Sequence, residues 1–144
     1  MGITGLVGAG RTEVFQAICG ITPLDSGKIY FQDREVKIKR PLDAMNLGIG
    51  YLPEDRQVQG LILDWGISRN IVLATLSKFS KKGWLNEKSE FKTAKELTEK
   101  VNVKANSIFD LVSSLSGGNQ QKVVVAKLLA RDVKMIILDE PTKG

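Results

Sequence analysis

The chain has 144 residues, of which 42% are hydrophobic and 26% charged, and 21 Lys and Arg against 16 Asp and Glu give a net charge of +5. This composition is typical of a soluble globular domain and excludes an intrinsically disordered chain, and no apolar stretch reaches the ~20 residues that cross a bilayer. Histidine is absent and Cys19 is the single cysteine, which excludes a Ser-His-Asp triad, an internal disulfide and nearly all zinc sites built by this chain alone.

Glycine spacing and hydrophobic periodicity predict the first elements. Apolar residues among four glycines indicate a buried strand over 2–7 that runs into a glycine-rich turn. Apolar residues at helical spacing predict a helix over 12–19, which Gly20 ends. Alternating residues over 28–39 predict a hairpin with its turn at Asp33-Arg34-Glu35.

The rest of the chain is predicted to alternate helices with short strands. The predicted elements are a helix over 41–47, a strand over 49–52, a helix over 68–76, a helix that begins after Asn86 and carries a Glu96–Lys100 ion pair, a helix from Ser116 to about Arg131, and a fully apolar, buried strand over 135–138. The expected fold class is α/β, with strands 2–7, 49–52 and 135–138 as neighbours in one largely parallel sheet. A helical lobe over about 66–112 is expected between core segments 1–65 and 113–144.

The first chemistry-bearing motif is GLVGAGRT, which fits the phosphate-loop pattern G-x-x-x-x-G-K-[ST] at every position except the lysine. Glycines in such a loop let backbone N–H groups approach a phosphate at a helix N-terminus. The planar guanidinium of Arg11 does not replace a compact ammonium, and Glu13 adds a carboxylate near the phosphates. The alternative is a tight turn without a ligand. The expected nucleotide contacts are Gly5, Gly8, Ala9, Gly10, Arg11, Thr12 and Glu13.

The second motif is the apolar strand over 135–138, which is followed by Asp139 and Glu140. A buried strand would deliver Asp139 to the sheet edge, where it can hold Mg²⁺ together with the hydroxyl of Thr12. Glu140 would then polarise an attacking water. The alternative is a pair of acids at a strand end with no catalytic role.

The third motif is LSGGNQQK, in which Ser116 precedes a predicted helix. A hydroxyl, bare backbone N–H groups and the positive end of a helix dipole suit a phosphate. A helix cap explains Ser116, but Gly117 and Gly118 in the first turn cost ~1 kcal/mol each relative to alanine. That cost indicates a function for the two glycines.

Together, GLVGAGRTE, LSGGNQQK and MIILDEPTKG resemble the Walker A, signature and Walker B motifs of ABC-type ATPases in order and spacing. More narrowly, the chain resembles the second, C-terminal ATPase half of the tandem ATP-binding subunits of ribose-, galactose- and xylose-type sugar importers. The resemblance implies a P-loop NTPase core with a helical insert, and ATP and Mg²⁺ as cofactors. It also implies that the chain is truncated at both ends and, isolated, hydrolyses ATP negligibly.

The resemblance assigns further roles. Glu54 falls where the family generally has the Q-loop glutamine, and Ser116, Gly117, Gly118, Asn119 and Gln120 form the signature that closes over a partner domain's nucleotide. The expected partners are a second ATPase domain, membrane permease subunits and, indirectly, a periplasmic sugar-binding protein, at the cytoplasmic face of the cell membrane and without nucleic acid. Because Arg11, Glu13 and Glu54 depart from the usual pattern, a degenerate own site beside an intact signature is expected.

Two other functions stay open at this point. An ABC module that works on ribosomes or DNA would use a basic, aromatic-bearing face, and 78–104 contains eight lysines and four glutamates, although such a run is usually a solvated helical face. A domain that binds no nucleotide and acts only as a dimer partner is the third possibility. Nucleotide binding would separate that class from the other two.

Overall fold

A computed structural model describes residues 10–55, 59–81 and 84–140. The described helices are α1 (Arg11–Ile18), α2 (Pro41–Leu47), α3 (Ile67–Val72), α4 (Leu76–Phe79), α5 (Glu87–Lys100) and α6 (Gly117–Ala130). The described strands are β1 (Ile29–Phe31), β2 (Arg34–Val36), β3 (Ile49–Leu52), β4 (Ser80–Lys81), β5 (Trp84–Leu85) and β6 (Met135–Leu138). The predicted strand over 2–7 lies outside the described residues.

The strand pair β3–β6 carries the acidic end of the candidate site. The two strands are parallel, with Ile49 opposite Met135 and Leu52 opposite Leu138, which confirms that 49–52 and 135–138 are neighbours; the predicted third neighbour, 2–7, is outside the described residues. The prediction that 135–138 is a buried strand is wrong at its two ends, since Met135 and Leu138 are exposed. Within the described part of the chain, β6 has β3 as its one strand neighbour.

The hairpin β1–β2 forms where it is predicted, but its turn is displaced. Gln32 and Asp33 form a two-residue turn in which both residues have a positive φ, 53° and 60°. Arg34 and Glu35, predicted in the turn, belong to β2. A turn with two positive φ values matches the right-handed twist of the flanking strands, and this geometric requirement outweighs the polarity of Asp33-Arg34-Glu35.

The short helix α2 is confirmed, with Pro41 as its first residue. The carboxylate of Asp43 accepts hydrogen bonds from the backbone N–H groups of Lys39 and Arg40, each at 3.1 Å, and the bond from Lys39 is the main reason that the pKa of Asp43 is lowered. Gly48 ends the helix with φ 88°. A Cβ at this position would lie 3.1 Å from the Lys134 side chain, so both conformation and space favour glycine.

The helical residues share a core with β3. Ile67, Ile71 and Val72 of α3 are fully buried against α5 and α6, and the same cluster contains Leu52 and Val124. The helix predicted over 68–76 is confirmed only to Val72, after which a 3₁₀ turn over 73–75 intervenes. The Thr75 hydroxyl donates to the Val72 carbonyl at 3.0 Å, and such side-chain bonds compete with regular helix bonding.

Helix α5 confirms the helix predicted after Asn86. The Asn86 side chain accepts from the backbone N–H of Ser89, and Ala94 is buried. The predicted ion pair of Glu96 with Lys100 is wrong, because Glu96 pairs with Lys92 at 4.0 Å. A helical lobe bounded at about 66 and 112 stays a prediction, because the core under α5 is continuous with β3.

A second, smaller cluster lies between the hairpin and β3. It contains Cys19, Ile38, Ala44 and Ile49, all buried. Removal from water raises the pKa of the Cys19 thiol to about 11. Within the described ranges, no helix is both long and apolar enough to cross a membrane.

Candidate functional site

The N-terminus of α1 presents the end of the glycine-rich loop. Gly10 is the N-cap and has φ 76°, a left-handed conformation that residues with a Cβ rarely adopt. A Cβ on Gly10 would meet nothing within 4 Å, so the backbone conformation, not crowding, requires glycine here. Thr12 is half-buried and Glu13 is exposed. The other predicted loop contacts, Gly5, Gly8 and Ala9, lie outside the described residues.

Arg11 contacts the predicted catalytic acid. Its Nη2 donates to Oε1 of Glu140 at 2.9 Å, and the two side chains are 25% and 30% exposed. Glu140 directly follows Asp139 at the end of β6 and has φ 44°. The structure therefore brings the first residue of α1 and the acidic strand end together across 129 residues of sequence, and an anion that approaches Arg11 competes with Glu140 for the guanidinium.

Asp139, the predicted magnesium ligand, is buried at 2% exposure. Its Oδ2 accepts from the Tyr51 hydroxyl at 2.9 Å, and its backbone N–H donates to the Leu52 carbonyl at 3.0 Å. Burial, and the hydrogen bond to the Asp139 carboxylate, raise the pKa of Tyr51. Tyr51 is not among the site residues that the sequence predicts. The signal for it was its position in β3 next to the predicted partner strand.

The donor set at this end fits Mg²⁺ in chemistry. Asp139 offers a buried carboxylate and Thr12 a hydroxyl, and hard cations prefer oxygen ligands. In the part of the chain that the structure describes, no three Cys, Asp or Glu side chains converge as a self-sufficient metal site. Mg²⁺ in nucleotide sites takes its remaining ligands from phosphates and water, so a two-ligand protein contribution is the expected arrangement.

Glu54 lies at the same edge of the strand pair. It follows Pro53 directly after β3, is half-buried, and β3 ends opposite the end of β6. A carboxylate at this edge adds negative charge near Asp139 and Glu140. Of these three acids, Glu140 contacts Arg11 directly.

The signature begins α6. Ser116 is the exposed N-cap, and its side chain makes no cap hydrogen bond to the helix backbone. Its Oγ accepts instead from Nδ2 of Asn119 at 3.2 Å, and Oδ1 of Asn119 accepts from the backbone N–H of Lys104 at 2.9 Å. Gly118 is exposed, and a Cβ there would meet nothing within 4 Å. The surroundings therefore do not require glycine at 118.

Gln120, predicted to face a nucleotide, is turned inward. It is 3% exposed, and its Nε2 donates to the Val112 carbonyl at 3.2 Å. Asn119 and Gln120 thus hold the start of α6 against neighbouring segments, whereas Ser116 and Gly118 form its outward surface. Sequence spacing alone does not separate these two orientations.

Comparison with known proteins decides the family. The sequence profile described as ABC transporter matches residues 1–143. The chain belongs to the ABC transporter family. It is 46% identical over 144 residues to the ribose import ATP-binding protein RbsA of Bacillus licheniformis, and 47% identical over the same length to RbsA of Lactococcus lactis subsp. lactis.

Each RbsA match covers 100% of this chain and 29% of the relative. The predicted ABC family is confirmed, and the relatives are sugar import proteins. The narrower expectation of a second, C-terminal half finds no support in these matches.

The solved structures establish the fold. An ATP-binding cassette solved as a dimer in a post-hydrolysis state with ADP and Pi has a TM-score of 0.76 at 22% identity, and the match covers 96% of this chain and 59% of that one. The cbiO1 protein of Clostridium perfringens, part of an ABC transporter complex, has a TM-score of 0.72 at 24% identity, over 97% of this chain and 53% of that one. The predicted P-loop NTPase fold of this ABC family member is therefore confirmed.

Proposed function

We propose that this chain is part of the ATP-binding subunit of a sugar ABC importer, in which ATP binding and hydrolysis drive carbohydrate uptake. The observation that carries the proposal is the contact of Arg11 with Glu140, which joins the glycine-rich loop to the acid that follows β6. The similarity to ribose import ATP-binding proteins supports the transport role.

At this chain's own site, Arg11 and the loop backbone, with Gly10 at its end, would bind phosphates at the N-terminus of α1. Thr12 and Asp139 would hold Mg²⁺, which neutralises phosphate charge when bound. Glu140 would orient the attacking water once Arg11 has turned from it to the phosphates. As long as the ion pair persists, the carboxylate is engaged and poorly placed as a base.

Glu13 and Glu54 are proposed to weaken nucleotide binding at this chain's own site. Two like charges ~4 Å apart at an effective dielectric of ~20 repel by about 4 kcal/mol. Glu13 and Glu54 stand on the elements that flank the phosphate position, α1 and the end of β3. Hydrolysis is therefore proposed to depend more on the signature of this chain, acting on a facing ATPase domain, than on its own loop.

A protein partner is supported by an exposed apolar surface. Its members are Ile62, Trp65, Phe109 and Leu111. The Val112 N–H donates to the Trp65 carbonyl at 3.1 Å, and Gly66 bridges to Leu111, so the two segments that carry these side chains are adjacent. We propose that membrane permease subunits contact the helical part here, that the subunit lies at the cytoplasmic face of the membrane, and that a periplasmic sugar-binding protein acts indirectly.

The alternative of nucleic-acid binding has weaker support. Two lysines of the basic run form ion pairs on the protein surface: Lys78 pairs with Asp132 at 2.6 Å, and Lys92 pairs with Glu96 at 4.0 Å. Phe91 packs edge-on against Phe109, with ring centroids 5.2 Å apart. An aromatic ring in such contact offers less of its surface for base stacking.

The test uses the full-length subunit that carries this chain, assembled with its permease. Magnesium-dependent ATPase activity that Glu140→Gln and Ser116→Arg both lower, and that tracks sugar uptake, is the expected result. Nucleotide binding that is absent in the subunit would favour the structural-partner alternative. Activity stimulated by RNA or DNA and not by the permease would favour the non-transport alternative.

A further inference from the structure

We propose that Asn119 is a positioning residue that directs the hydroxyl proton of Ser116 away from its own helix and toward a phosphate oxygen of the facing nucleotide. The inference rests on the proposed function of the signature. It assigns Asn119 a role that acts through Ser116, in place of the direct nucleotide contact predicted from the sequence.

The hydrogen bonds of Ser116 are unusual for an N-cap. An N-cap serine normally accepts from a backbone N–H two or three residues along its helix. The Ser116 side chain makes no such bond, and its Oγ accepts from Nδ2 of Asn119 at 3.2 Å. A hydroxyl has one proton to donate. With a donor already pointing at the oxygen, that proton is directed to the exposed side, where a phosphate would approach.

The other end of the Asn119 amide fixes which atom faces Ser116. Oδ1 accepts from the backbone N–H of Lys104 at 2.9 Å, and a backbone N–H cannot accept. Reversing the amide would place two donors against each other at Lys104, so Nδ2 must point toward Ser116. The orientation of the hydroxyl therefore depends on a backbone group in the segment that follows α5.

That segment is itself attached to α6. Lys122, one turn further along the helix, donates from Nζ to the Asn102 carbonyl at 2.7 Å. The Val103 N–H donates to the Thr98 carbonyl at 3.0 Å, which ties the segment to α5. Lys122 thus offers a matched control, since it holds the same segment without contacting Ser116.

The experiment measures steady-state ATPase activity of the full-length subunit in its transporter complex. Ser116→Ala should lower kcat on the order of 10²-fold, the usual loss of one pre-oriented donor. Asn119→Ala should lower kcat about tenfold, with KM for ATP little changed. The double variant should be no worse than Ser116→Ala alone, because Asn119 acts through that hydroxyl.

Asn119→Asp separates positioning from stability. A carboxylate still accepts from Lys104 N–H, and an acid in the first turn favours the helix, so the melting temperature should not fall. The carboxylate cannot donate to Ser116 and would also repel a facing phosphate, so kcat should still fall. Lys122→Met should leave kcat within about twofold, as expected for a bond whose loss leaves no buried charge.

Three results would overturn the inference. The first is a double variant whose fold-loss in kcat equals the product of the two single losses. The second is full activity of Asn119→Asp. The third is a loss in Lys122→Met equal to that in Asn119→Ala, which would make attachment of the segment the cause. If Ser116→Ala were fully active, the proposed role of the signature would fail first, and the positioning role with it.

Discussion

The phosphate loop and the signature of this chain, which face different nucleotides in the proposed function, are built from different kinds of polar group. At the phosphate-loop end, Arg11 and Glu140 carry opposite charges and neutralise each other at 2.9 Å. At the signature end, Ser116, Asn119 and the backbone of Lys104 form a chain of neutral hydrogen bonds. A phosphate that binds Arg11 must first break its ion pair with Glu140. A phosphate that accepts the Ser116 proton leaves both hydrogen bonds of Asn119 in place.

This difference bears on catalysis. A partly exposed ion pair is worth on the order of 1 kcal/mol or less, and breaking it offsets part of what a phosphate gains. A pre-oriented neutral donor needs no rearrangement, and its removal typically costs ~2.7–4 kcal/mol of barrier. We therefore expect substitutions at the signature to have larger effects than those at Arg11.

The largest effect is expected for Ser116→Arg, which fills the exposed start of α6 with a long side chain. Transport-coupled ATPase activity of the assembled transporter should fall on the order of 10²–10³-fold, while Arg11→Ala should lower it about tenfold or less. Ser113→Arg is the matched control, since Ser113 is also exposed and precedes the signature. Equally severe losses for Ser116→Arg and Arg11→Ala would show that the Arg11 site hydrolyses too, and the comparison would have to be abandoned.

The next effect concerns the ion pair itself. Glu140→Gln should raise the affinity of this site for ATP up to about fivefold, because Arg11 no longer has to leave a carboxylate. Part of any gain comes from reduced repulsion of the phosphates, and that part persists when Arg11 is replaced. Equilibrium binding of ATP to the two single variants and to Arg11→Ala/Glu140→Gln separates the contribution of the ion pair from that of phosphate repulsion. A gain of the same size with and without Arg11 would contradict the idea that the pair competes with ATP.

A smaller effect is expected for Tyr51→Phe, which removes the hydrogen bond to the buried Asp139. The free energy of unfolding at neutral pH should fall by about 1 kcal/mol. Because the pKa of Tyr51 is raised in the folded state, the folded protein retains this proton more strongly than the unfolded chain. The contribution of the Tyr51 hydrogen bond to the free energy of unfolding is therefore complete below about pH 10, the usual pKa of tyrosine, and is lost as the pH rises further.

Denaturant unfolding of wild type and Tyr51→Phe between pH 7 and 11 measures this contribution. The difference in unfolding free energy between wild type and Tyr51→Phe should shrink above pH 10. Both proteins contain Cys19, so its own titration cancels in this difference. Tyr30→Phe is the control, since Tyr30 is exposed on the hairpin. An advantage that grows with pH would show that the sign is wrong.

The smallest effect is expected for Lys28→Ala. Its ion pair with Glu35 has the same 2.9 Å length as the Arg11–Glu140 pair, but the side chains are 62% and 42% exposed. Loss of such a surface pair should change the free energy of unfolding by less than about 0.5 kcal/mol. Thermal unfolding with Lys39→Ala as a reference measures it. A loss above 1 kcal/mol would mean that exposure does not distinguish the two pairs.

Local features of the fold could be predicted from the sequence. Pro41 and Gly48 bound α2 as expected, and Asn86 caps α5, because capping preferences depend on a few neighbouring residues. Residue alternation predicts the hairpin, but residue polarity places its turn one to two residues too late, since polarity does not reveal the two positive φ values at Gln32 and Asp33.

Side-chain partners across long sequence separations could not be predicted. Residue types alone indicated Arg11, Asp139 and Glu140 as site residues, but not that Arg11 would contact Glu140 or that Tyr51 would contact Asp139. The burial of Gln120 was also missed, because the first turn of α6 has an inward side that depends on where residue 112 lies. Such contacts depend on how distant elements pack.

The buried thiol of Cys19 has a practical consequence for measuring domain closure. With a pKa of about 11, only on the order of one thiol in 10⁴ is ionised at pH 7, and the thiolate is the reactive form. A cysteine introduced at an exposed position, for example in place of Ser113, would therefore react with a maleimide dye far ahead of Cys19. Within this chain the dye would therefore report from the signature end, and its fluorescence would follow how that end moves when nucleotide binds.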